Sequence, residues 1–178
     1  MAATKSKAIE VITPGFWAEA CDHLARRDRV MKRVIPLFGD ACLESRGDAF
    51  VTLARSIVGQ QISVKAAQSV WNRFEALPRR MTAANVLKLK VDDMRAAGLS
   101  ARKVEYLVDL ALHFDSGRLR VNQWQRMDDE AIIAELVAIR GIGRWTAEMF
   151  LIFHVLRPNV LPLDDVGLIN GISLNYFS

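Results

Sequence analysis

Residues 136–165 read LVAIRGIGRWTAEMFLIFHVLRPNVLPLDD and contain two apolar helical patterns separated by a pair of glycines. An apolar helical pattern ends near Ile139, a GIG turn follows at 141–143, and a second helical pattern covers about 144–156. Glycine tolerates positive φ and close backbone approach, and a buried Ile142 would fix the turn. The pattern predicts two helices joined by a tight hairpin, although a plain corner with a glycine cap also fits the glycines alone.

The start of the second predicted helix is a candidate anion site. Free backbone amides at a helix N-terminus point outward and carry partial positive charge, which suits a phosphate group. Arg144 stands beside these amides and is predicted to contact the same phosphate backbone. A basic run near the N-terminus could also touch phosphate, but such runs are commonly solvated; it comprises Arg26, Arg27, Lys32 and Arg33.

Length and composition limit the class of protein. The chain has 178 residues, 51% of them apolar and 25% charged, which is typical of one folded domain. Its formal net charge of +4 permits a polyanionic partner without requiring one. Cys21 and Cys42 cannot supply the thiolates of an iron–sulfur cluster or a Cys₄ zinc site, and a disulfide framework is not expected. His23, His113 and His154 are too dispersed for a zinc site.

Targeting segments are not evident in the sequence. The first residues lack the long apolar core of a secretory signal, and no apolar run approaches the roughly 20 residues of a membrane span. We therefore expect a cytoplasmic, intracellular protein without a membrane partner.

Helical spacing dominates the remaining sequence, and no stretch alternates at period two, so the chain is predicted to be all-α. Capping residues mark the predicted helix starts at Asp48, Ser63, Thr82, Asp92 and Ser100. Asp128 and Asp129 put negative charge at the start of a further helix, where the helix dipole favours it. Loops are predicted over 39–47, 78–81, 116–127 and 157–163.

The sequence GIGRWTAEMF followed by PLDD resembles the helix–hairpin–helix DNA glycosylase superfamily, specifically its 3-methyladenine DNA glycosylase II (AlkA-like) branch. The resemblance extends upstream through SIVGQQISVKAAQSVWNRF and covers most of residues 48–169. It implies two helical lobes flanking a cleft, with the helix–hairpin–helix at about 130–156. Residues 1–47 joined by 164–178 would form the N-terminal lobe, and residues 48–163 the central lobe.

The resemblance implies that Asp165, the second carboxylate of LPLDD, performs base excision. Cleavage of an N-glycosidic bond builds positive charge on the deoxyribose, which a carboxylate stabilises while it orients water. One anion suffices when the leaving base is already cationic, as an N-alkylated purine is. Either aspartate could instead cap the following helix. Because the hairpin lies at its family distance upstream, the resemblance favours Asp165 for catalysis and leaves capping to Asp164.

Trp145 occupies the position that carries a lysine nucleophile in related bifunctional glycosylases, so a Schiff-base lyase mechanism is not expected. The resemblance puts this indole in the base pocket together with Met149, where its π face could stack on a flipped, cationic base. Core packing is the alternative, because Trp145 and Met149 share one helical stripe with Ile152 and Leu156.

The resemblance also implies the contacts with DNA. Gln60 and Gln61 lie between two predicted helices, and Gln61 matches the wedge that fills the gap left by the flipped nucleotide. A solvent-facing loop is the alternative for both glutamines. The residues implied to grip the DNA backbone at the hairpin are Gly141, Ile142, Gly143, Arg144 and Thr146.

A monovalent cation, Na⁺ or K⁺, is further implied at the hairpin, held by the backbone carbonyls of Val137, Ile139 and Ile142. Carbonyl ligands leave no side-chain pattern that would identify such a site. No other cofactor is expected.

The predicted function is that of a monofunctional glycosylase, which flips alkylated purines out of damaged duplex DNA and leaves abasic sites in base excision repair. The alternatives are a noncatalytic or truncated helix–hairpin–helix DNA-binding module and an all-α scaffold without affinity for nucleic acid. We expect a monomer if the chain is intact. The resemblance implies that the polypeptide usually continues through further helices beyond this point, so we expect either a truncated fragment or an unusually short member. In both cases we expect exposed apolar surface, which favours self-association, at Ile169, Ile172, Tyr176 and Phe177.

Overall fold

Every regular element is helical in the part of the chain that the computed structural model describes, residues 13–45 and 47–177. The α-helices run in the order α1 Trp17–Arg27, α2 Arg29–Val34, α3 Ala49–Gly59, α4 Val64–Glu75, α5 Ala83–Val86, α6 Val91–Ala96, α7 Ala101–Asp115, α8 Asp129–Val137, α9 Arg144–Phe150 and α10 Val166–Tyr176. Short 3-10 helices cover Ile35–Phe38 and Val121–Arg126, and a π-helix covers Leu151–Val155. The all-α prediction is confirmed, and none of the described helices is long and apolar enough to cross a membrane.

Side-chain caps set the helix starts, as the sequence predicts. Asp48 accepts a hydrogen bond from the Val51 amide at the start of α3, and Ser63 accepts one from the Ala66 amide at the start of α4. The predicted caps at Thr82 and Ser100 are also confirmed, for α5 and α7. These bonds satisfy amides that have no partner within the helix.

Two local predictions are wrong. Lys90, not Asp92, is the N-cap of α6, so Asp92 lies in the first turn, where its charge still favours the helix. The predicted loop over 116–127 contains the second 3-10 helix, because Trp124 is buried there and its indole donates to the Glu135 carboxylate of α8 at 2.8 Å. A tertiary contact thus orders a segment that its local sequence leaves as a loop.

The core lies between α3, α7, α8 and α9. Helix α3 is buried over most of its surface because apolar residues occupy most of its positions and are not confined to one stripe. Four aromatic rings cross this core edge to face, with centroids 5.3 to 6.3 Å apart in successive pairs; they are Phe50, Phe114, Trp124 and Phe150. The last of these rings, Phe150, belongs to α9, so the helix that follows the hairpin is packed against the buried core.

Helices α1, α2 and α10 contribute no buried residue. The Tyr176 hydroxyl of α10 donates to Asp28 Oδ2 at 2.9 Å, and the Arg33 guanidinium donates to the Asn175 carbonyl at 3.5 Å. These contacts join α10 to the N-terminal segment, the grouping on which the predicted lobes depend. The apolar side chains expected to be exposed on α10 and just after it are exposed; they are Ile169, Ile172, Tyr176 and Phe177.

Candidate functional site

The hairpin between α8 and α9 turns at Gly141, whose φ is +85°. A β-carbon at this position would lie 2.7 Å from Cε2 of Tyr106 and still closer to two other atoms of that ring. Gly143 has φ of −91° and open space around it, so only the first glycine needs to be glycine for steric reasons. Ile142 is 4% exposed, and its amide donates to the Ile139 carbonyl at 3.1 Å. The predicted burial of Ile142 in the turn is confirmed.

The first amides of α9 have no partner within the helix. Gly143 is the N-cap without a side-chain cap, and the first helical hydrogen bond runs from the Ala147 amide to the Gly143 carbonyl at 3.1 Å. The amides of residues 144–146 precede that bond and are free to donate hydrogen bonds to an anion. Thr146 is only 7% exposed, so its predicted contact with DNA depends on its amide and not on its hydroxyl.

Arg144 carries two carboxylate partners that the sequence analysis missed. Its Nη1 donates to Glu130 Oε2 and its Nε donates to Glu148 Oε1, both at 3.0 Å, and Nη2 also contacts Glu130. Glu130 and then Glu148 raise the pKa of this guanidinium. A DNA phosphate would therefore compete with two glutamates for Arg144. The Arg144–Glu148 spacing of four residues is a signal that could have revealed one of these pairs.

The loop between α3 and α4 is tied to the hairpin. Gln60 Nε2 donates to the Gly141 carbonyl at 2.8 Å, which engages this side chain within the protein. Gln61 is exposed and adopts φ of +58°, an uncommon conformation for a residue other than glycine. The structure thus separates the two predicted DNA contacts, because Gln60 fixes the loop and Gln61 stands at its tip.

Asp165 lies at the N-cap of α10 and uses both carboxylate oxygens. Oδ1 accepts the Leu168 amide at 2.7 Å, and Oδ2 accepts the Trp145 indole N–H at 2.8 Å. These hydrogen bonds lower the pKa of Asp165, with the Leu168 amide as the larger cause. The assignment of capping to Asp164 is wrong, because Asp165 itself caps α10 and Asp164 is exposed.

Trp145 is 45% exposed, which excludes the alternative that it packs in the core. The buried apolar side chains of this helix are instead Ala147 and Phe150, and Leu151 at the start of the following π-helix is also buried. The indole extends from the hairpin helix to Asp165, 20 residues further along the chain. The family resemblance associates both residues with one site, but no local sequence pattern encodes the hydrogen bond between them.

Beside Asp165 lies an open groove of about 300 Å³. Its walls are otherwise apolar, and Asp165 is the one charged residue among them. The lining residues are Met149, Ile152, Phe153, Val160, Leu161, Pro162, Asp165 and Leu168. Of the predicted stripe, Met149 and Ile152 line this groove, whereas Trp145 and Leu156 are not among its lining residues. The groove offers a flat ligand an apolar surface with one carboxylate.

The return from the π-helix to Asp165 is anchored by Arg157. Leu156 adopts φ of +62°, and the Arg157 amide donates to the Leu151 carbonyl at 2.9 Å. The Arg157 guanidinium donates to the carbonyls of Trp124 and Met127 at 2.8 and 2.6 Å, and its Nε lies 3.1 Å from the Asp129 carboxylate. Segment 157–164, which carries one wall of the groove, is thereby fixed to the start of α8.

The backbone carbonyl oxygens at the hairpin are chemically suitable ligands for the monovalent cation that the resemblance implies. Val137 is the last residue of α8, where carbonyls lack helical donors and carry partial negative charge. The carbonyl of Ile139 already accepts the Ile142 amide, which leaves it one further lone pair. Oxygen donors of this kind suit a hard cation.

Comparison with protein families gives an extended match. Residues 54–178 match the protein family described as HhH-GPD superfamily base excision DNA repair protein. This range includes the loop of Gln60 and Gln61, the hairpin and Asp165.

Relatives and solved structures agree with that match. DNA-3-methyladenine glycosylase 1 of Schizosaccharomyces pombe is 34% identical over 170 residues, covering 91% of this chain and 73% of that protein. DNA-3-methyladenine glycosylase of Saccharomyces cerevisiae is 31% identical over 171 residues, covering 86% of this chain and 58% of that protein.

The structure of S. pombe 3-methyladenine DNA glycosylase in complex with abasic DNA superimposes with a TM-score of 0.78 at 33% identity, covering 87% of this chain and 79% of that one. The agreement extends over most of the residues described above. The chain belongs to the HhH-GPD superfamily of base excision DNA repair proteins.

Proposed function

We propose that this protein is a DNA glycosylase that releases alkylated purines of the 3-methyladenine type from duplex DNA and leaves an abasic site. The observation that carries the proposal is the Asp165 carboxylate beside an open apolar groove, hydrogen-bonded to an exposed Trp145 on the hairpin helix. Relatives named as DNA-3-methyladenine glycosylases support the reaction class.

In the proposed reaction, the bond between C1′ and the base nitrogen breaks, and its electron pair leaves with the base. A purine that already carries a positive charge departs neutral and needs no proton from the protein. Water then adds to C1′ and releases a proton to solvent. Asp165 stabilises the positive charge that develops on the sugar. Because its hydrogen bonds lower its pKa, it is a weak proton acceptor, and we propose an electrostatic role rather than general-base catalysis.

The groove suits a flat cation better than a neutral polar base. Apart from Asp165, its lining offers apolar side chains such as Met149, Ile152 and Leu161. Trp145 does not line the groove, but its hydrogen bond to Asp165 holds the half-exposed indole next to the carboxylate, where its π surface attracts positive charge. These features support a preference for N-alkylated purines, which present a delocalised positive charge that neutral purines lack.

The hairpin and the neighbouring loop would hold the DNA. The free amides of residues 144–146 suit a backbone phosphate, and Gln61 at the loop tip would fill the gap left by the flipped nucleotide. The carbonyls of Val137, Ile139 and Ile142 would hold a monovalent cation, whose charge adds to the attraction for phosphate. Gln60 serves this arrangement by fixing the loop to the hairpin.

We further propose that the enzyme does not cleave the DNA strand. A lyase reaction needs an amine to attack C1′, and position 145 carries tryptophan. Among the described lysines, burial lowers the pKa of Lys103, but its ammonium donates to the Val58 carbonyl at the end of α3 at 2.7 Å. This lysine therefore has a structural hydrogen bond and does not line the groove.

The test is to incubate the protein with methylated duplex DNA, quantify the free bases by chromatography, and analyse the strands with and without alkali. We expect release of 3-methyladenine, strand breaks only after alkali, and no covalent adduct with borohydride. DNA binding without base release would support the noncatalytic module instead. Breaks without alkali, together with a trapped adduct, would refute the absence of lyase activity.

A further inference from the structure

Helices α1 and α2 present a concentrated positive surface that the proposed site does not use. Residues 22–33 contain five cations and two carboxylates, so this short segment holds most of the chain's formal net charge of +4. All five cations are exposed, and we call them the α1–α2 basic face; they are Arg26, Arg27, Arg29, Lys32 and Arg33.

The charge of this face is not neutralised within the described residues. None of its five cations forms an ion pair there, whereas the arginines around the hairpin are paired with glutamates. Of its two carboxylates, Asp28 accepts the Met31 and Val30 amides and the Tyr176 hydroxyl, and these hydrogen bonds together with the nearby Arg29 charge lower its pKa, so it stays ionised. With Asp22 and Asp28 both counted against the five cations, the segment still carries a net charge of +3.

The face forms an open depression of about 660 Å³, lined by Asp22, Ala25, Arg26, Arg27, Arg29 and Lys32. A wide, shallow and cationic surface of this kind suits a long polyanion better than a small molecule, because it encloses little and attracts over its whole area. Guanidinium groups pair well with phosphate oxygens.

We propose that the α1–α2 basic face binds the phosphate backbone of the duplex that flanks the damaged base. This inference rests on the proposed function only in taking DNA as the partner. The Tyr176–Asp28 bond joins this face to the far end of α10, whose 11 residues span about 16 Å from Asp165. That length corresponds to about five base pairs of DNA, so one duplex is long enough to reach both sites.

The direct test is the salt dependence of binding to undamaged DNA. Fluorescence anisotropy with an undamaged duplex of about 30 base pairs, from about 50 to 300 mM KCl, gives the slope of log affinity against log salt. We expect Arg27→Gln/Arg29→Gln to reduce this slope by about two and to weaken binding about tenfold or more at the lowest salt. Glutamine is a good helix former, and circular dichroism should match the parent.

A matched control removes two other exposed arginines. The control is Arg79→Gln/Arg80→Gln. These two arginines follow the end of α4, and the 12 residues of that helix place them about 18 Å or more from the Gln61 loop. We expect this control to change the slope by less than one unit. A second test pair, Arg26→Gln/Lys32→Gln, should reproduce the effect of the first and guards against misfolding of a single variant.

The outcomes separate the possible partners. The proposal would be overturned if both test pairs keep the salt slope of the parent protein, or if the Arg79/Arg80 control lowers the slope as much as the test pairs do. The same variants are also tested for binding to polyglutamate. If the test pairs keep the parent's salt slope for DNA but lose affinity for polyglutamate, the face binds an acidic polypeptide, and the proposal is overturned. Because the duplex is undamaged, the measurement does not depend on base release, so failure of the glycosylase proposal would be a separate result.

Discussion

Replacement of Gly141 by alanine tests the hairpin geometry, because two independent costs meet at that position. The positive φ of +85° costs a residue with a β-carbon about 1–2 kcal/mol. Overlap of that carbon with the Tyr106 ring adds about 1–3 kcal/mol, as overpacking of a well-packed site does. We therefore expect Gly141→Ala to lower the free energy of unfolding by about 2–5 kcal/mol, a large fraction of ordinary stability.

Gly143→Ala is the matched control two residues away. Its φ of −91° is ordinary for alanine, and no atom lies within 4 Å of the added carbon. Alanine reduces the conformational freedom of the unfolded chain, which stabilises the folded protein by about 0.4–1 kcal/mol. Alanine is also a poorer N-cap than glycine, and this destabilises the folded protein by a similar amount. The expected net change is within about 0.5 kcal/mol.

Urea unfolding followed by far-ultraviolet circular dichroism measures both variants against the parent. A double-mutant cycle with Tyr106→Ala isolates the contribution of the steric overlap. Removing the ring should restore part of the stability that Gly141→Ala loses, and we expect a coupling free energy of about 1–3 kcal/mol. A Gly141→Ala variant within about 0.5 kcal/mol of the parent, or equal effects at both glycines, would refute this account of the hairpin.

Three further predictions concern charge. Trp145→Phe keeps an aromatic face but removes the indole N–H, so the pKa of Asp165 should rise, and the acidic limb of base release should move to higher pH in a pH–rate profile. Burial lowers the pKa of His154 from 6.5, so the unfolded chain protonates first and stability should fall as pH drops below about 6.5. His154→Phe should reduce that fall in urea midpoints compared at about pH 5 and 8. Glu130→Gln should leave Arg144 freer for phosphate and steepen the salt dependence of DNA affinity with little change in stability, because the Glu130–Arg144 pair is exposed.

Helix starts were predictable where a side chain caps its own helix. Asp48, Ser63 and Ser100 each bond an amide three residues ahead, so the information is local. The same locality explains the correct prediction of the glycine turn, since positive φ at Gly141 is a backbone requirement.

Features that depend on contacts between residues far apart in the chain could not be predicted from the sequence. The 3-10 helix around Trp124 is ordered by Glu135, and Arg144 is engaged by Glu130, 14 residues earlier. The capping role was assigned to the wrong aspartate because both neighbours satisfy the local rule. Only the tertiary position of Trp145 distinguishes Asp165, whose second oxygen accepts the indole. The site residues were therefore associated by resemblance, whereas their contacts emerged from the fold.

The most direct test of the catalytic assignment is single-turnover release of 3-methyladenine by Asp165→Asn and Asp164→Asn side by side. Asparagine caps a helix about as well as aspartate, so both variants should fold and bind DNA. We expect Asp165→Asn to slow release by about 100-fold or more, since it removes the charge that stabilises the transition state, and Asp164→Asn to stay within about twofold of the parent. Near-parental release by Asp165→Asn, or an equal loss in both variants, would contradict the assignment of catalysis to Asp165.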